Sequence, residues 1–188
     1  TRQWADYTFA YPERERAAAE LWTVYGLLRG WLLERLSVDE RRAAHQAAGD
    51  WLRELERQDR EAELGLSWVD CLLEARARYL QASDHPQARA VTDRVSDFLV
   101  RQGLYDELAR LNEELLIYEE HPAPMSWIAR AFLDRGEYAA AREWYQRCLE
   151  TAGDAVPKEV AVAWHGLATI DLNMGDYAAA REKFAKSL

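Results

Sequence analysis

Apolar residues recur along most of the chain at spacings of three and four, the period of a helix with one buried face. In the last third, Tyr138, Ala141, Tyr145 and Leu149 form one stripe, and Tyr177, Ala180, Phe184 and Leu188 form another. Ahead of each lies a second apolar stretch: Trp127, Ile128, Ala131 and Phe132 before Gly136, and Trp164, Leu167, Ala168 and Leu172 before Gly175. Glycine at the end of a helix takes the left-handed conformation that other residues adopt only at a cost. The pattern therefore predicts helix, tight turn and helix, twice over. The decapeptide from Gly136 to Tyr145 returns 39 residues later as Gly175 to Phe184, with seven of ten positions identical. Self-similarity at such a period marks a stack, in which no hairpin buries its apolar face alone. Small Ala141 and Ala180 let the paired helices approach, while the rings fill the space between pairs.

These residues resemble the tetratricopeptide repeat, with a bulky residue, Leu and a small residue in helix A and Gly-x-Tyr-x-x-Ala-x-x-x-aromatic in helix B. One copy supplies Met125, Ile128, Ala129, Phe132, Gly136, Tyr138, Ala141, Tyr145, Cys148 and Leu149. The next supplies Trp164, Leu167, Ala168, Gly175, Tyr177, Ala180, Phe184, Ser187 and Leu188, with Asp171 where the pattern has an aromatic. The family period is about 34 residues; the excess falls in 151–156 and in a helix lengthened from Pro157, a residue suited to a first helical turn. A degenerate copy lies upstream in Val95, Ser96, Leu99, Gly103, Tyr105, Leu108, Leu115 and Leu116. The resemblance implies an all-α fold, an antiparallel helix-hairpin solenoid wound as a right-handed superhelix. It also implies a concave surface lined by helix A, here Ser126, Arg130 and Leu133 in one copy and His165, Thr169 and Asn173 in the next. Arg130, Asn173 and His165 are placed to hold a carboxylate or backbone amide of an extended peptide. The two-carboxylate clamp of some such repeats needs Lys and Asn at set positions, and Lys is missing from all of them.

The first third reads differently. Pro12, Glu13 and Glu15 open a helix expected to run to about Leu36, with Leu21, Trp22, Tyr25, Leu28 and Leu32 on its apolar side and Gly26 and Gly30 as points of bending. Ser37-Val-Asp-Glu40 is a capping box. It starts a second helix whose stripe, Ala43, Ala44, Ala47, Ala48, Trp51, Leu52 and Leu55, is mostly alanine and predicts close approach to its neighbours. Further helices are expected at about Glu61 to Leu80, after the Ser83-Asp-His-Pro86 break and after Gly103. The expected division is 1–58 as N-terminal helices or the end of a winged helix, 59–120 as degenerate repeat-like helices, and 121–188 as two clear repeats, the last cut short. Residues 24–52, through Leu27, Leu28, Arg29, Leu32, Leu33, His45, Ala47, Ala48 and Trp51, resemble the junction between winged helix and sensor repeats in STAND-type signalling NTPases. Tyr25 stands where that family has a histidine, and no Gly-x-x-x-x-Gly-Lys-Ser/Thr loop occurs in the chain. A start at Thr1 without Met and an end at Leu188 within a repeat point to a piece of a larger protein.

Composition narrows the function. In 188 residues, 49% apolar and 30% charged content suits a folded protein. The formal net charge of −9 argues against nucleic acid, which needs a basic patch to displace counterions. Arginines such as Arg14, Arg16, Arg41 and Arg42 are interleaved with acids and read as solvated helix faces. The eight Trp read as packing between helices. Cys71 and Cys148 are far apart and have no metal-ligand spacing, so reduced thiols of a cytoplasmic protein are expected. No apolar run approaches a membrane span. His45, His85, His121 and His165 are dispersed, with no nucleophile at a recognisable spacing, and acid pairs such as Glu113 with Glu114 or Asp70 with Glu74 are ordinary helix charge. No catalytic group, metal site or cofactor is expected. Two readings stand: a protein-interaction or ligand-sensing module of a STAND-type ATPase, with a protein, peptide or small-molecule partner, or a stand-alone scaffold binding extended peptides in its groove. Oligomeric state is not specified.

Overall fold

A computed structural model of the chain describes residues 35–153 and 156–188. The helix expected from Pro12 to Leu36 and the winged-helix match through Tyr25, Leu27, Leu28, Arg29, Leu32 and Leu33 lie outside the described residues, but for the ends at Arg35 and Leu36. The chain divides into two compact units, Thr1–Ala43 and Ala44–Leu188. In the first, the capping box forms as expected: the Ser37 N–H donates to Glu40 Oε2 at 2.8 Å and the Glu40 N–H donates to Ser37 Oγ at 3.2 Å. The backbone bond from Ser37 holds the Glu40 carboxyl below its ordinary value. This box starts α1 (Val38–Arg57).

The second unit is built from hairpins. After α1 and a 3-10 turn (Glu61–Leu64) come α2 (Trp68–Gln81), α3 (His85–Gln102), α4 (Tyr105–Leu116), α5 (Pro122–Asp134), α6 (Tyr138–Ala152), α7 (Pro157–Asn173) and α8 (Tyr177–Lys186). Each packs chiefly on its neighbours in sequence, and α5 also meets α7. The described residues are all-α and make a helical-repeat solenoid. Gly103, Gly136 and Gly175 close α3, α5 and α7 with φ of 70°, 79° and 85°, as the repeated glycine predicts. The stretch read as one helix over 61–80 is in fact two pieces. Gly65 at φ 69° ends the 3-10 turn, and Ser67 Oγ accepts from the Asp70 N–H at 3.2 Å to start α2 afresh.

The alanine stripe of α1 does not make the close approach expected of it. Ala43, Ala44 and Ala47 are exposed, and Trp51 is 54% exposed. Of the expected stripe Leu52 and Leu55 are buried, joined by Gly49 and Glu56. A Cβ on Gly49 would lie 2.9 Å from Tyr79 Cε1, so glycine makes the contact, and Tyr79 donates to Asp50 Oδ1 at 2.7 Å. Other tryptophans do pack: Trp68 meets Phe98 edge-on with centroids 5.0 Å apart, and Trp144 and Trp164 lie half-buried against the second core.

Two cores follow one another along the stack. The first gathers Leu72, Ala75, Val91, Val95, Leu108 and Leu111 from α2 to α4, and the second Met125, Ala129, Ala141, Tyr145, Leu167 and Ile170 from α5 to α7. Burying one such aliphatic side chain stabilises by about 1.5–3 kcal/mol. The first core also holds a polar seam. Arg76 donates from Nε to Thr92 Oγ1 at 2.9 Å, from Nη1 to Glu114 Oε2 at 3.0 Å and from Nη2 to the Leu111 carbonyl at 2.9 Å. Asn112 donates to Ser96 Oγ at 2.9 Å. Asn112 occupies the register position that Tyr145 fills one repeat later.

Asp171, where the repeat pattern has an aromatic, is 4% exposed and still joins helices. It accepts from Arg142 of α6 at 2.8 Å and from Lys183 of α8. Burial opposes its charge, but the bonds from Lys183 and Arg142 outweigh it and hold the carboxyl below its ordinary value. The stripe of α8, by contrast, is buried only at Ala180, with Tyr177 71% exposed.

Gly166 of α7 carries the tightest contact, since a Cβ there would lie 2.1 Å from Tyr145 Cζ. Gly166→Ala is expected to destabilise by about 1–3 kcal/mol through overpacking, read as a lower urea midpoint. A carboxyl held low in the folded state stabilises above its unfolded pKa and loses that contribution as pH falls. Asp171→Asn is therefore expected to cost about 1–3 kcal/mol at neutral pH and to flatten the loss of stability between about pH 5 and 3, measured by urea unfolding across pH.

Candidate functional site

Between α5 and α7 the stack leaves a groove of about 1170 Å³. All five residues expected on the concave surface, Ser126, Arg130, His165, Thr169 and Asn173, line it, together with Leu133. The positions arise from repeat geometry: α5 and α7 are the A helices, and the same turn of each faces the groove. Not every polar group there is open to a ligand. The Ser126 hydroxyl donates to the Ala123 carbonyl at 2.8 Å and the Thr169 hydroxyl to the His165 carbonyl at 2.9 Å, which leaves both as acceptors. Arg130 is 48% exposed, and its Nε holds Asp134 Oδ2 at 2.7 Å, so the guanidinium presents its outer nitrogens with its charge already matched. His165 lies edge-on to Phe184 with centroids 5.2 Å apart. Asn173 is exposed.

Sequence reasoning missed further lining residues. Asp93 of α3 faces the groove and accepts from Trp127 Nε1 at 2.8 Å. Burial raises its carboxyl above the ordinary value against that bond. The signal was present: Gly103 lies 33 residues before Gly136, and the same step back from Ser126 lands on Asp93. Lys158 and Glu159, in the first turn of α7, add one charge of each sign. Tyr145 of α6 forms part of the floor. It is a B-helix residue, which the A-helix rule passes over.

The remaining chemistry-bearing residues have structural work. Glu74 pairs with Arg78, Glu114 with Arg76, and Asp70 sits in the cap of α2. Arg42 with Asp39 and Arg110 with Glu107 are solvated pairs one turn apart on a helix, as the interleaved charge predicts. Both cysteines are free and fully buried. Burial, with Glu61, Glu56 and Glu74 nearby, pushes the Cys71 thiol up to about 11, and burial with Glu159 pushes Cys148 up to about 12, far from a reactive thiolate. His121 is the N-cap of α5, its Nδ1 accepting from the Ala123 N–H at 3.1 Å. His85 is likewise the first residue of α3.

The hairpin geometry, the glycine turns and the A-helix groove all meet in the last two repeats. Residues 122–188 match the tetratricopeptide repeat. No curated protein matches the chain. The tetratricopeptide match begins at α5, one hairpin after the degenerate copy, where Asn112 and Ser96 have replaced aromatic and alanine. The match covers the last two hairpins, about a third of the chain, and supports tetratricopeptide repeats there. Among the described residues, no helix is long and apolar enough to cross a membrane.

Burial, and then Arg89, depress the His121 pKa, against the opposing pull of Glu119, Glu159 and Asp93. A histidine with a depressed folded pKa stabilises above its unfolded value, about 6.5, and that contribution is lost as pH falls. Urea unfolding is expected to show stability declining from about pH 7 to 5. His121→Asn, which keeps an N-cap acceptor but cannot titrate, is expected to decline less over the same window.

Proposed function

We propose that this chain is a non-catalytic interaction module that holds an extended segment of a partner protein or peptide in the groove between α5 and α7. The observation that carries this is where the two repeats differ. Helices α6 and α8 are nearly the same in sequence over their first turns, because stacking constrains them. Across the groove, Ser126 is matched by His165 and Arg130 by Thr169. The A helices diverge, these groove positions included, while the first turns of the B helices hold, which leaves the concave surface free to be fitted to a partner. On this reading residues 121–188 form the binding module and 59–120 the degenerate hairpins that extend it.

The net charge of −9 favours a protein partner over nucleic acid or a membrane surface, and buried thiols suit a cytoplasmic setting. The groove serves equally in a stand-alone scaffold and in the sensor region of a STAND-type signalling ATPase. A phosphate-binding loop followed by a winged helix ahead of Thr1 in the gene product separates these two. Isothermal titration of the chain with ATP is expected to show no tight stoichiometric binding, as no phosphate-binding loop is present in it.

Arg130→Ala removes a charged donor from the groove wall. Its affinity for peptides selected on the wild-type chain is expected to fall about tenfold, measured by isothermal titration. Unchanged affinity for every selected peptide places the binding surface elsewhere.

A further inference from the structure

The floor of the groove carries a donor without a partner. Tyr145 is 2% exposed, yet it lines the groove, and among the described residues its hydroxyl makes no hydrogen bond. Burial pushes the phenol above its ordinary value, so at neutral pH it is an intact O–H. The sealed polar atoms without a partner among the described residues are Glu61 Oε2 and Asn112 Oδ1, so the Tyr145 hydroxyl opens on the groove and not into the core, and its presence there calls for an explanation. Packing does not supply one, because Phe184 fills the same register position in the next repeat with a ring alone.

Gly166 explains how the hydroxyl reaches the groove. The three ring atoms nearest to a Cβ built on Gly166 are Cζ, Cε2 and Cε1 of Tyr145, at 2.1, 2.3 and 2.6 Å. The phenol end of the ring therefore lies across the bare backbone of α7. The equivalent positions in the two preceding A helices hold Trp127 and Arg94, which would close that passage. Asn112, Tyr145 and Phe184 share one register position, and the only phenol among them stands opposite the only glycine.

The acceptor that fits is neutral. The charges acting most on Tyr145 are Arg130 and Asp134, which are paired with each other. A carboxylate pressed onto this floor would lose its hydration and gain no unmatched cation, whereas a carbonyl needs only one donor. We propose that the Tyr145 hydroxyl, exposed to the groove by Gly166, donates to a neutral amide carbonyl of the bound peptide. This rests on the groove being the peptide site.

The test uses peptides selected from a displayed random library on the full chain, with two variants. Thr169→Arg blocks the groove, Tyr145→Phe removes only the hydroxyl, and the thermal midpoint of each checks the fold. Selected peptides are expected to lose binding to Thr169→Arg and to bind Tyr145→Phe about three- to tenfold more weakly, with the thermal midpoint of Tyr145→Phe unchanged. Thioamide replacement along the peptide backbone, with alanine at any Asn or Gln, is expected to find one carbonyl whose change weakens wild type but not Tyr145→Phe. Peptides blocked by Thr169→Arg but indifferent to Tyr145→Phe, or coupled to it through a carboxylate, overturn this inference and leave the groove standing. A marked fall in the Tyr145→Phe midpoint also overturns it, since the hydroxyl would then be serving the fold. Peptides indifferent to Thr169→Arg sink the groove reading and this inference together.

Discussion

Each hairpin of this stack presents one register position of its B helix to the A helix of the next, and the sizes of the two facing residues decide how close the helices come. At the last junction the ring is Tyr145 and the opposing residue is Gly166, whose missing Cβ leaves room that a methyl group would overfill. One repeat earlier the sizes are exchanged, with Asn112 on the B helix and Trp127 on the A helix. Packing at constant density allows either solution but not two large residues or two small ones. The consequences are unequal. Trp127 over a small partner turns its indole N–H toward Asp93, while Gly166 under a large one opens the floor of the groove.

The same constraint explains where charge enters the interior. Asp171 stands where the repeat pattern has a ring, and Arg76 lies in the polar seam of the first core. Asp171 is held by one cation from α6 and another from α8, so the carboxylate does by attraction what an aromatic does by area. Arg76 satisfies three acceptors from α3 and α4. Such contacts are directional, and they tie three helices at a point where an apolar side chain would tie two. Breaking one leaves a buried charge, which costs more than a lost methyl contact.

The hairpins were legible because their signals are local. A glycine that must adopt positive φ and a stripe at helical spacing need no partner to be read, and Gly103, Gly136 and Gly175 adopt the predicted turn. The groove positions Ser126, Arg130, His165, Thr169 and Asn173 were legible through the tetratricopeptide resemblance, which assigns the concave surface to helix A, and register carries each position to the next copy. What failed was pairwise. The alanines of α1 satisfy the pattern of a close-packing face, but the contact goes to Gly49, because Tyr79 and not the stripe itself decides which turn is approached. Gly65 falls within an unbroken helical pattern, but Ser67 caps a new helix two residues on. Tyr145 was assigned to the core by the B-helix rule, and only the identity of its neighbour at 166 brings it to the groove.

Stack and groove are therefore not independent parts of this chain. A repeat protein is usually described as a packed B-helix spine that carries a variable A-helix surface, so that changes to one leave the other alone. Tyr145 belongs to both. Its ring is packed in the second core with Met125, Ala129 and Leu167, and its hydroxyl end lies beneath the surface on which Arg130 and Thr169 stand. Any ligand that engages the floor thus bears on the residue that sets the spacing between α6 and α7. Because interiors are close-packed, a shift of that ring would have to be absorbed by the same helices that form the walls. On the proposed reading, affinity in this groove and the geometry of the last junction would be coupled through a single side chain, in both directions.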